Sequence, residues 1–411
     1  MQADTQPKQF PEGFYWGAAT ASYQVEGGIE NNDWAKAARE GRVPVAGRSS
    51  DHYNRYEQDF DIAQELGHNA HRFSIEWARI EPEEGKFNER EIAHYRAVLQ
   101  ALHARGIKPY ITLWHFTLPL WFSESGGFER NDSPEIFARY CAYVVEQLGD
   151  LCDSFSTMNE PSVLASNGWL RGTWPPFKRF ALTDFISITN SGKSFEPKPE
   201  KGIGAVRVFF KVRKNLARAH NAAYVAIKQV KSDTDVSVVK HVILFEANWN
   251  PINKALAWFA NWQWTHVFMK RVYKQCDSIG LNYYFYKKYG DTHVYEKTDM
   301  DWDIYPQGVY GGLNMLHRYG KPLFVSEAGI ADARDVHRAA YIQTQVQAIW
   351  QAIEDGMDVR GHLYWSLLDN YEWALGYEKR FGLVEIDYET LERKVRPSAY
   401  VYKEICINNA L

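Results

Sequence analysis

Eight short runs rich in β-branched and aromatic residues recur along this 411-residue chain, and they limit its fold more than any other feature. Helical periodicity fills several of the gaps between them, for example over residues 91–106 and 134–150. Strands that alternate with helices indicate an α/β fold, and eight of them in one chain indicate a (β/α)8 TIM barrel. We therefore predict a single barrel domain over residues 1–411. The eight runs span residues 14–20, 69–75, 108–115, 154–159, 236–243, 277–284, 322–327 and 361–367.

Two glutamates each stand at the end of such a run, directly before a chain breaker. Glu160 follows the fourth run in SFSTMNEP, and Glu327 ends the seventh run in PLFVSEAG. A carboxylate at this point lies at the carboxyl edge of the sheet, where α/β barrels build their active sites. Two such carboxylates suggest a pair that divides acid and nucleophile work, as in glycoside hydrolysis. Either glutamate alone would more often be an ordinary loop residue, so the flanking residues must decide.

The net charge of −4 and the cysteine pattern argue against several kinds of partner and cofactor. The charge is mild and mixed in sign, so the chain offers no basic face for nucleic acid and no polybasic anchor for a membrane. Its four cysteines are scattered and form no CxxC pair, which argues against a structural zinc site and a disulfide framework. No metal, nucleotide or other cofactor is implied, and the expected partner is a small neutral molecule.

The aromatic content and the amino terminus add two expectations. Aromatic residues make up 15% of the chain; a large core explains much of this, and the rest fits a site that stacks on the apolar faces of sugars. The first residues, MQADTQPKQFPEGF, lack a basic region followed by an apolar one, and no apolar run approaches membrane-spanning length. We expect a cytoplasmic protein, and the sequence leaves its oligomeric state open.

Polar and aromatic residues also gather at the predicted carboxyl ends of the other strands. They are Gln24 and Glu26 in YQVEGG, Arg72 in HRFSIEW, His115 in LWHFTLP, Asn159 beside Glu160, Asn282 and Tyr284 in GLNYY, and Trp365, Glu372 and Trp373 in YWSLLDNYEW. Together these segments resemble the retaining β-glycosidases of glycoside hydrolase family 1. The resemblance runs in order from FPEGFYWGAATASYQVEGG near the start to RFGLVEIDYETLERKVRPSAYVYKEI near the end, and so covers essentially the whole chain.

The resemblance implies a retaining exo-β-glycosidase that hydrolyses β-glucosides, with β-galactosides or β-fucosides as further substrates. It makes Glu160 in TMNEP the general acid/base and Glu327 in VSEAG the nucleophile. It also implies supporting roles at the active site. Arg72 and Tyr284 contact Glu327, Asn159 binds the sugar 2-hydroxyl beside Asn282, Gln24, His115, Glu372 and Trp373 bind the remaining hydroxyls, Trp365 forms a stacking floor, and Phe381 in KRFGL packs near the hydroxymethyl group.

The physical chemistry of two carboxyls agrees with that division. A retaining site needs them roughly 5–5.5 Å apart, so that one attacks the anomeric carbon while the other protonates the leaving oxygen. Two carboxylates at that distance do not both ionise readily, so we expect Glu160 to hold its proton near neutral pH. Once Glu327 becomes an ester, the repulsion disappears and Glu160 can deprotonate to activate water.

The chain departs from the family pattern at two positions. Phe116 follows the histidine of the third strand, where the family usually has Trp, and Ala328 follows the nucleophile, where the family usually has Asn. The first change removes an indole donor from the sugar-binding site, and the second removes a side chain that could form local hydrogen bonds. We expect both to affect sugar preference and neither to affect the mechanism.

Two segments outside the strand pattern also carry expectations. The polar stretch 183–204 is rich in Lys, Pro and Ser and is predicted to be a long loop over the barrel. The region 248–274 looks compressed for the family and holds Trp249, Trp258, Trp262 and Trp264. We expect those four to be core or interface residues rather than a platform for the aglycone.

Three alternatives remain open. A 6-phospho-β-glycosidase would need cationic residues near the 6-position of the sugar, where NYEW places a carboxylate instead. A sugar-binding pseudoenzyme of the same fold would typically have lost a catalytic carboxylate, and this chain keeps both. An endo-acting cellulase or xylanase on a related barrel would differ in the length of its products.

Overall fold

The computed structural model describes residues 7–179 and 204–411. Eight parallel strands close into one barrel, and each strand pairs with its neighbours in chain order. Each of the eight predicted runs supplies one strand, which confirms the predicted TIM barrel; the third strand ends before His115, which lies in the loop that follows. The barrel strands are β1 Tyr15–Ala19, β2 Ala70–Ser74, β3 Lys108–Thr112, β4 Ser154–Asn159, β5 Asp235–His241, β6 Ser278–Tyr283, β7 Leu323–Ala328 and β8 Val359–Trp365.

Helices cover the outside of the barrel and fill several of its loops. The α-helices of the described residues are α1 Ser22–Val25, α2 Asp33–Arg39, α3 His52–Glu65, α4 Trp77–Ile80, α5 Glu89–Ala104, α6 Leu120–Glu124, α7 Ser133–Leu148, α8 Pro161–Trp169, α9 Gly204–Val230, α10 Pro251–Asn261, α11 Val267–Val272, α12 Val309–His317, α13 Arg338–Glu354 and α14 Pro397–Asn408. A π-helical segment, Trp262–His266, joins α10 to α11. Short 3-10 turns lie at Gly127–Glu129, Tyr273–Gln275, Pro306–Gly308 and Trp373–Leu375.

The core lies on both sides of the barrel wall. Parallel strands that helices cover are buried on both faces, and every residue of β2, β6 and β7 is buried. The helix α7 shows how the chain builds the outer layer: it begins with Pro134 in its first turn, buries Tyr140 and Val144, and ends next to Gly149. The barrel is therefore a rigid support for the loops at the carboxyl ends of its strands.

Two short parallel strands extend the barrel beyond its rim after β5 and β6. Leu244–Ala247 pairs with Tyr286–Tyr289, and α10 packs on this small sheet. A second small sheet, Val384–Ile386 with Arg393–Val395, is antiparallel. Within the described residues, no helix is both long enough and apolar enough to cross a membrane.

The predictions for the two segments outside the strand pattern have different outcomes. The predicted loop 183–204 lies outside the described residues except for Gly204, where α9 begins. In the region 248–274, Trp249 and Trp258 are exposed, so the core interpretation is wrong for them. Trp264 lines a cavity at the top of the barrel instead of packing only in the core.

Candidate active site

A cavity opens at the carboxyl ends of the barrel strands and brings together most of the residues that the sequence singled out. Eleven of the thirteen predicted site residues line it. The other two, Arg72 and Asn282, are fully buried behind its wall and contact side chains that face it. The eleven are Gln24, His115, Phe116, Asn159, Glu160, Tyr284, Glu327, Trp365, Glu372, Trp373 and Phe381.

The position of Glu160 follows from its place between a strand and a helix. β4 ends at Asn159, and Pro161 opens α8, where its missing N–H costs nothing because the first turn has no acceptor for it. A residue before proline avoids the right-handed helical region, and Glu160 adopts a left-handed backbone with φ of 44°. Its own N–H donates to the carbonyl of Val239 on β5 at 3.0 Å. This turn fixes the carboxyl at the rim of the barrel.

Glu327 is the second-last residue of β7, and each of its carboxyl oxygens accepts a hydrogen bond. The guanidinium of Arg72 donates to Oε1 through Nη1, and the hydroxyl of Tyr284 donates to Oε2 at 2.6 Å. Gly329 lets the end of this strand approach β8, because a Cβ atom there would lie 1.8 Å from the carbonyl oxygen of Trp365. Glu327 is thus oriented and paired with a buried cation.

A continuous chain of hydrogen bonds joins the two glutamates. Arg72 donates to the Oδ1 atom of Asn159 through Nη2 at 2.8 Å while its other branch holds Glu327. Asn282 donates from Nδ2 to that same Oδ1 at 3.2 Å and to Oε1 of Glu160 at 2.6 Å. The network fixes both carboxyls relative to each other through side chains on or next to β2, β4, β6 and β7.

The electrostatics of the two glutamates differ. Burial, and then the charge on Glu327, raise the pKa of Glu160 to about 8, and the hydrogen bond from Asn282 offsets only part of that rise. Burial and the same charge raise the pKa of Glu372 to about 8 as well. The cation of Arg72 contacts Glu327 directly, whereas neither of the other carboxyls has a cation at ion-pair distance within the described residues. In the empty site at neutral pH, Glu160 and Glu372 therefore hold protons.

His115 and Gln24 each present an unpaired polar atom. Burial keeps the pKa of His115 well below its usual range, so the ring is neutral; its Nε2 accepts from Asn159 at 3.2 Å, which leaves the proton on Nδ1. Gln24 donates from Nε2 to Asn370 and to the carbonyl of Tyr371, both at 2.9 Å. Within the described residues, Nδ1 of His115 and Oε1 of Gln24 have no partner. A hydroxyl group could accept from the first and donate to the second.

Aromatic rings form the walls of the cavity. The ring of His115 is nearly parallel to Trp365, with centroids 5.9 Å apart, and to Trp373, with centroids 6.0 Å apart. Phe381 packs in a cluster with Trp365 and lies 6.0 Å from the ring of Tyr284. Flat apolar surfaces of this kind match the C–H faces of a sugar ring.

Phe116 is buried in the main hydrophobic cluster and also forms part of this wall. Its backbone is left-handed, with φ of 75°, which is rare for a residue with a bulky side chain. The ring contacts Trp373 edge-on at 5.2 Å and Trp174 at 4.9 Å between centroids, and it lines the cavity. At the position where the family usually has Trp, the side chain of Phe116 therefore faces the cavity.

Several lining residues were not predicted. They are Val163, Ser166, Asn167, Arg171, Thr173, Trp174, His241, Ile243, Trp264, Phe285, Met300, Trp302, Ala374 and Leu375. A search of strand ends could have found His241, because it is the last residue of β5. Trp174 and Trp302 belong to irregular loops, so no periodic pattern in the sequence marks them.

Glu26, which shares the YQVEGG segment with Gln24, is not among the cavity-lining residues. It pairs with Arg79 at 2.9 Å and accepts a hydrogen bond from Tyr95 at 2.8 Å. The first contact is partly buried and the second is buried, and both join Glu26 to other parts of the barrel rather than to the cavity.

Comparisons with known proteins find relatives that match nearly the whole chain. The family model for glycosyl hydrolase family 1 matches residues 6–274 and 246–411. The chain is 33% identical to beta-glucosidase A of Thermotoga maritima, over 98% of this chain and 99% of that protein. It is 30% identical to a beta-galactosidase of Pyrococcus woesei, over 98% of this chain and 98% of that protein. Its structure is similar to that of the beta-glycosidase from Pyrococcus horikoshii, with a TM-score of 0.87 and 35% identity over 99% of this chain and 96% of that one.

Proposed function

The chain belongs to glycosyl hydrolase family 1 and is a β-glycosidase, and on that premise we propose that it is a retaining exo-β-glycosidase of β-glucosides, with β-galactosides or β-fucosides as further substrates. The whole of residues 1–411 is proposed to act as one catalytic domain on a small neutral glycoside. Relatives named beta-glucosidase and beta-galactosidase at similar identity support both sugars as substrates.

One observation carries the proposal: two glutamates share a cavity and have opposite electrostatic environments. Glu327 has an arginine and a tyrosine hydroxyl as donors, so it can act as a carboxylate nucleophile. Glu160 has a raised pKa and no contacting cation among the described residues, so it can act as a proton donor at neutral pH. A protein that only binds sugar has no need for this difference.

In the first step, an oxygen of Glu327 attacks the anomeric carbon while Glu160 gives its proton to the glycosidic oxygen. The bond to the aglycone breaks, the alcohol leaves, and a glycosyl ester forms on Glu327. Asn159 faces the cavity between the two carboxyls, where its amide N–H could bind the 2-hydroxyl and strengthen that contact as charge develops.

In the second step, Glu160 removes a proton from water, which attacks the same carbon and releases Glu327. Esterification of Glu327 removes the negative charge that helped to raise the pKa of Glu160, so Glu160 can now ionise. The same residue thus serves first as acid and then as base, and two inversions give net retention.

The remaining residues are proposed to hold the sugar. His115 and Gln24 offer an unpaired donor and an unpaired acceptor to one hydroxyl. Glu372 accepts from hydroxyls, and their binding favours its charged form over the protonated form of the empty site. Trp365 and Trp373 supply flat apolar faces, with Phe381 beside them near the hydroxymethyl group.

The product's configuration tests the proposal. Hydrolysis of an aryl β-glucoside, followed by proton NMR from the first minutes, should show the β-anomer of glucose before mutarotation produces the α-anomer. Initial release of α-glucose would indicate an inverting mechanism and overturn the proposal. Cleavage of internal bonds of a cello-oligosaccharide, seen as an initial mixture of shorter oligosaccharides with little glucose, would show endo-action and overturn the exo assignment.

A further inference from the structure

The helix α10 has an apolar surface on the side that faces solvent. Five large side chains there are exposed by 83% (Trp249), 69% (Ile252), 47% (Leu256), 67% (Trp258) and 54% (Phe259). With Ala255 and Trp262 they form what we call the α10 face. Monomeric proteins rarely expose so many large apolar side chains in one place, and such patches usually mark a contact surface.

The opposite side of α10 is already packed, so the exposed side is not a misplaced core face. Ala257 is buried in a cluster with Ile243 and Phe245, and Asn250 caps the helix at the N–H of Ile252. A surface helix with one packed side is expected to be polar on the other. The only charged residue of α10 is Lys254.

Two helical segments on and beside this face carry charges of one sign, whereas the acidic Glu246 lies on the strand beneath α10. The segments 204–230 and 247–276 contain ten Lys or Arg and no Asp or Glu, whereas the whole chain has 51 acidic and 47 basic residues. The two segments pack together: Arg213 donates to the carbonyl of Gln263 at 3.1 Å, and Asn221 donates to that of Arg271 at 3.0 Å. The cationic segments therefore lie together at the π-helical segment and α11, which continue from the end of α10.

Four of these cations are exposed and form no ion pair among the described residues. They are Lys254, Lys270, Arg271 and Lys274. An apolar surface with several Trp residues and a rim of unpaired cations combines the two features by which proteins bind an anionic lipid surface. Trp is also the residue most enriched at the boundary between lipid and water.

A second copy of the chain fits the same surface less well. A symmetric dimer places each patch against itself, so the cations of one copy would face those of the other. Such like-charge contacts disfavour association, whereas anionic headgroups would neutralise them. We propose that the α10 face and its flanking cations dock onto the surface of an anionic lipid bilayer.

The docking surface lies close to the mouth of the active-site cavity. Trp264, in the same π-helical segment as Trp262, lines the cavity, and so does Ile243, on which α10 packs. Docking would therefore hold the cavity near the lipid surface. The earlier expectation of no membrane partner used the net charge of the whole chain, which hides this local separation of charges. The contact is peripheral, since no described helix could span a bilayer.

The test is co-sedimentation of the purified full-length protein with vesicles, and its readout does not depend on the proposed enzymatic mechanism. The protein should bind vesicles of phosphatidylcholine with phosphatidylglycerol, bind phosphatidylcholine alone weakly, and be released from the anionic vesicles by high salt. Failure to bind the anionic vesicles at low salt would overturn the proposal.

Three variants make the test specific. The aromatic variant Trp249→Ser/Trp258→Ser/Phe259→Ser and the charge variant Lys254→Gln/Lys270→Gln/Arg271→Gln should each weaken binding at least about tenfold. The control Tyr400→Ser/Ile407→Ser removes exposed apolar residues from α14 and should bind like the parent. Unchanged turnover of a small soluble glycoside shows that each variant is folded.

Two outcomes would show that the α10 face is not the surface that binds the bilayer. Equal binding of all three variants would place the lipid contact elsewhere on the protein. A dimer in sedimentation velocity that the aromatic variant alone converts to monomer, without lipid binding by the parent, would assign the α10 face to a second copy. Either outcome overturns the proposal.

Discussion

The hydroxyl of Tyr284 donates to Oε2 of Glu327 at 2.6 Å, on the carboxyl oxygen that Arg72 does not hold. Tyr284 thereby fixes the orientation of the carboxylate, and burial together with the nearby charge of Glu327 keeps the pKa of its own hydroxyl well above the usual range. The hydroxyl therefore remains a donor across the working pH range. Its loss should free one oxygen of Glu327, the proposed nucleophile, to rotate out of line.

Replacing Tyr284 with Phe tests this contact. We expect kcat/KM for aryl β-glucosides to fall about 100-fold, because one preorganised donor at a reacting oxygen has an effect of about that size. Tyr286→Phe is a matched control, since its hydroxyl bonds to Tyr295 outside the cavity, and it should change activity little. Equal losses in both variants would show that the effect is structural.

The pH dependence should report the proton on Glu160. Glu160 must be protonated to act as acid, so kcat/KM should fall as pH rises through its raised pKa of about 8. The loss should be steep for an alkyl glucoside and shallow for a dinitrophenyl glucoside, whose leaving group needs little protonation. Glu372 has a raised pKa in the same range, but its titration would affect both substrates equally. Parallel profiles for the two substrates would thus contradict the assignment to Glu160.

Phe116→Trp tests the first departure from the family pattern. An indole N–H can donate to a sugar hydroxyl, and a neutral hydrogen bond contributes about 0.5–1.5 kcal/mol, so KM for glucosides should fall a few-fold with kcat nearly unchanged. Phe116 already contacts Trp174 and Trp373, so the larger ring must fit without overpacking. A folded variant with unchanged kinetics on glucosides and galactosides would show that this position does not reach the sugar.

Glu372 should select against phosphorylated sugars. Hydroxyls of either a gluco or a galacto sugar favour the charged form of Glu372, which accepts from them and repels a 6-phosphate, so both plain sugars should be turned over and the phosphate rejected. Glu372→Gln should lower kcat/KM for glucosides about 10- to 100-fold, the loss expected for a charged hydrogen bond, and reduce the discrimination against 6-phosphoglucosides. Glu378→Gln, at an exposed position further along the same loop, is the control. Faster cleavage of a 6-phosphoglucoside than of the glucoside by the parent enzyme would contradict this role.

The sequence predicts the barrel and the centre of the site because both depend on local patterns. Each glutamate ends a strand-like run and is followed by a residue that breaks a strand. This pattern predicts both carboxyls at one edge of a sheet, as the structure has them. The outer cavity wall could not be predicted in this way. Trp174 and Trp302 reach it from irregular loops whose path depends on packing with distant parts of the chain.

Two further features, the exposure of Trp258 and the raised pKa of Glu372, could not be predicted from the sequence for physical reasons. Apolar residues of α10 recur at helical spacing on the side opposite Lys254 and Asn261, a pattern that predicts that this side is buried. In the structure the side that carries Ala257 meets the small sheet instead, so the predicted side and Trp258 are exposed. The raised pKa of Glu372 depends on burial and on its approach to Glu327, and both are set by tertiary structure. Residue type alone indicates a carboxyl group at this position and says nothing about its pKa.

The most direct test of the central claim is azide rescue of the two glutamate variants. Glu160→Ala should retain part of its activity on a dinitrophenyl β-glucoside, and added azide should accelerate it and yield the β-glucosyl azide, because azide attacks the glycosyl ester on Glu327 without needing a base. Glu327→Ala should lose turnover of every substrate, and azide should give only the α-glucosyl azide by direct inversion. A β-azide from Glu327→Ala, or an α-azide from Glu160→Ala, would contradict the assigned roles.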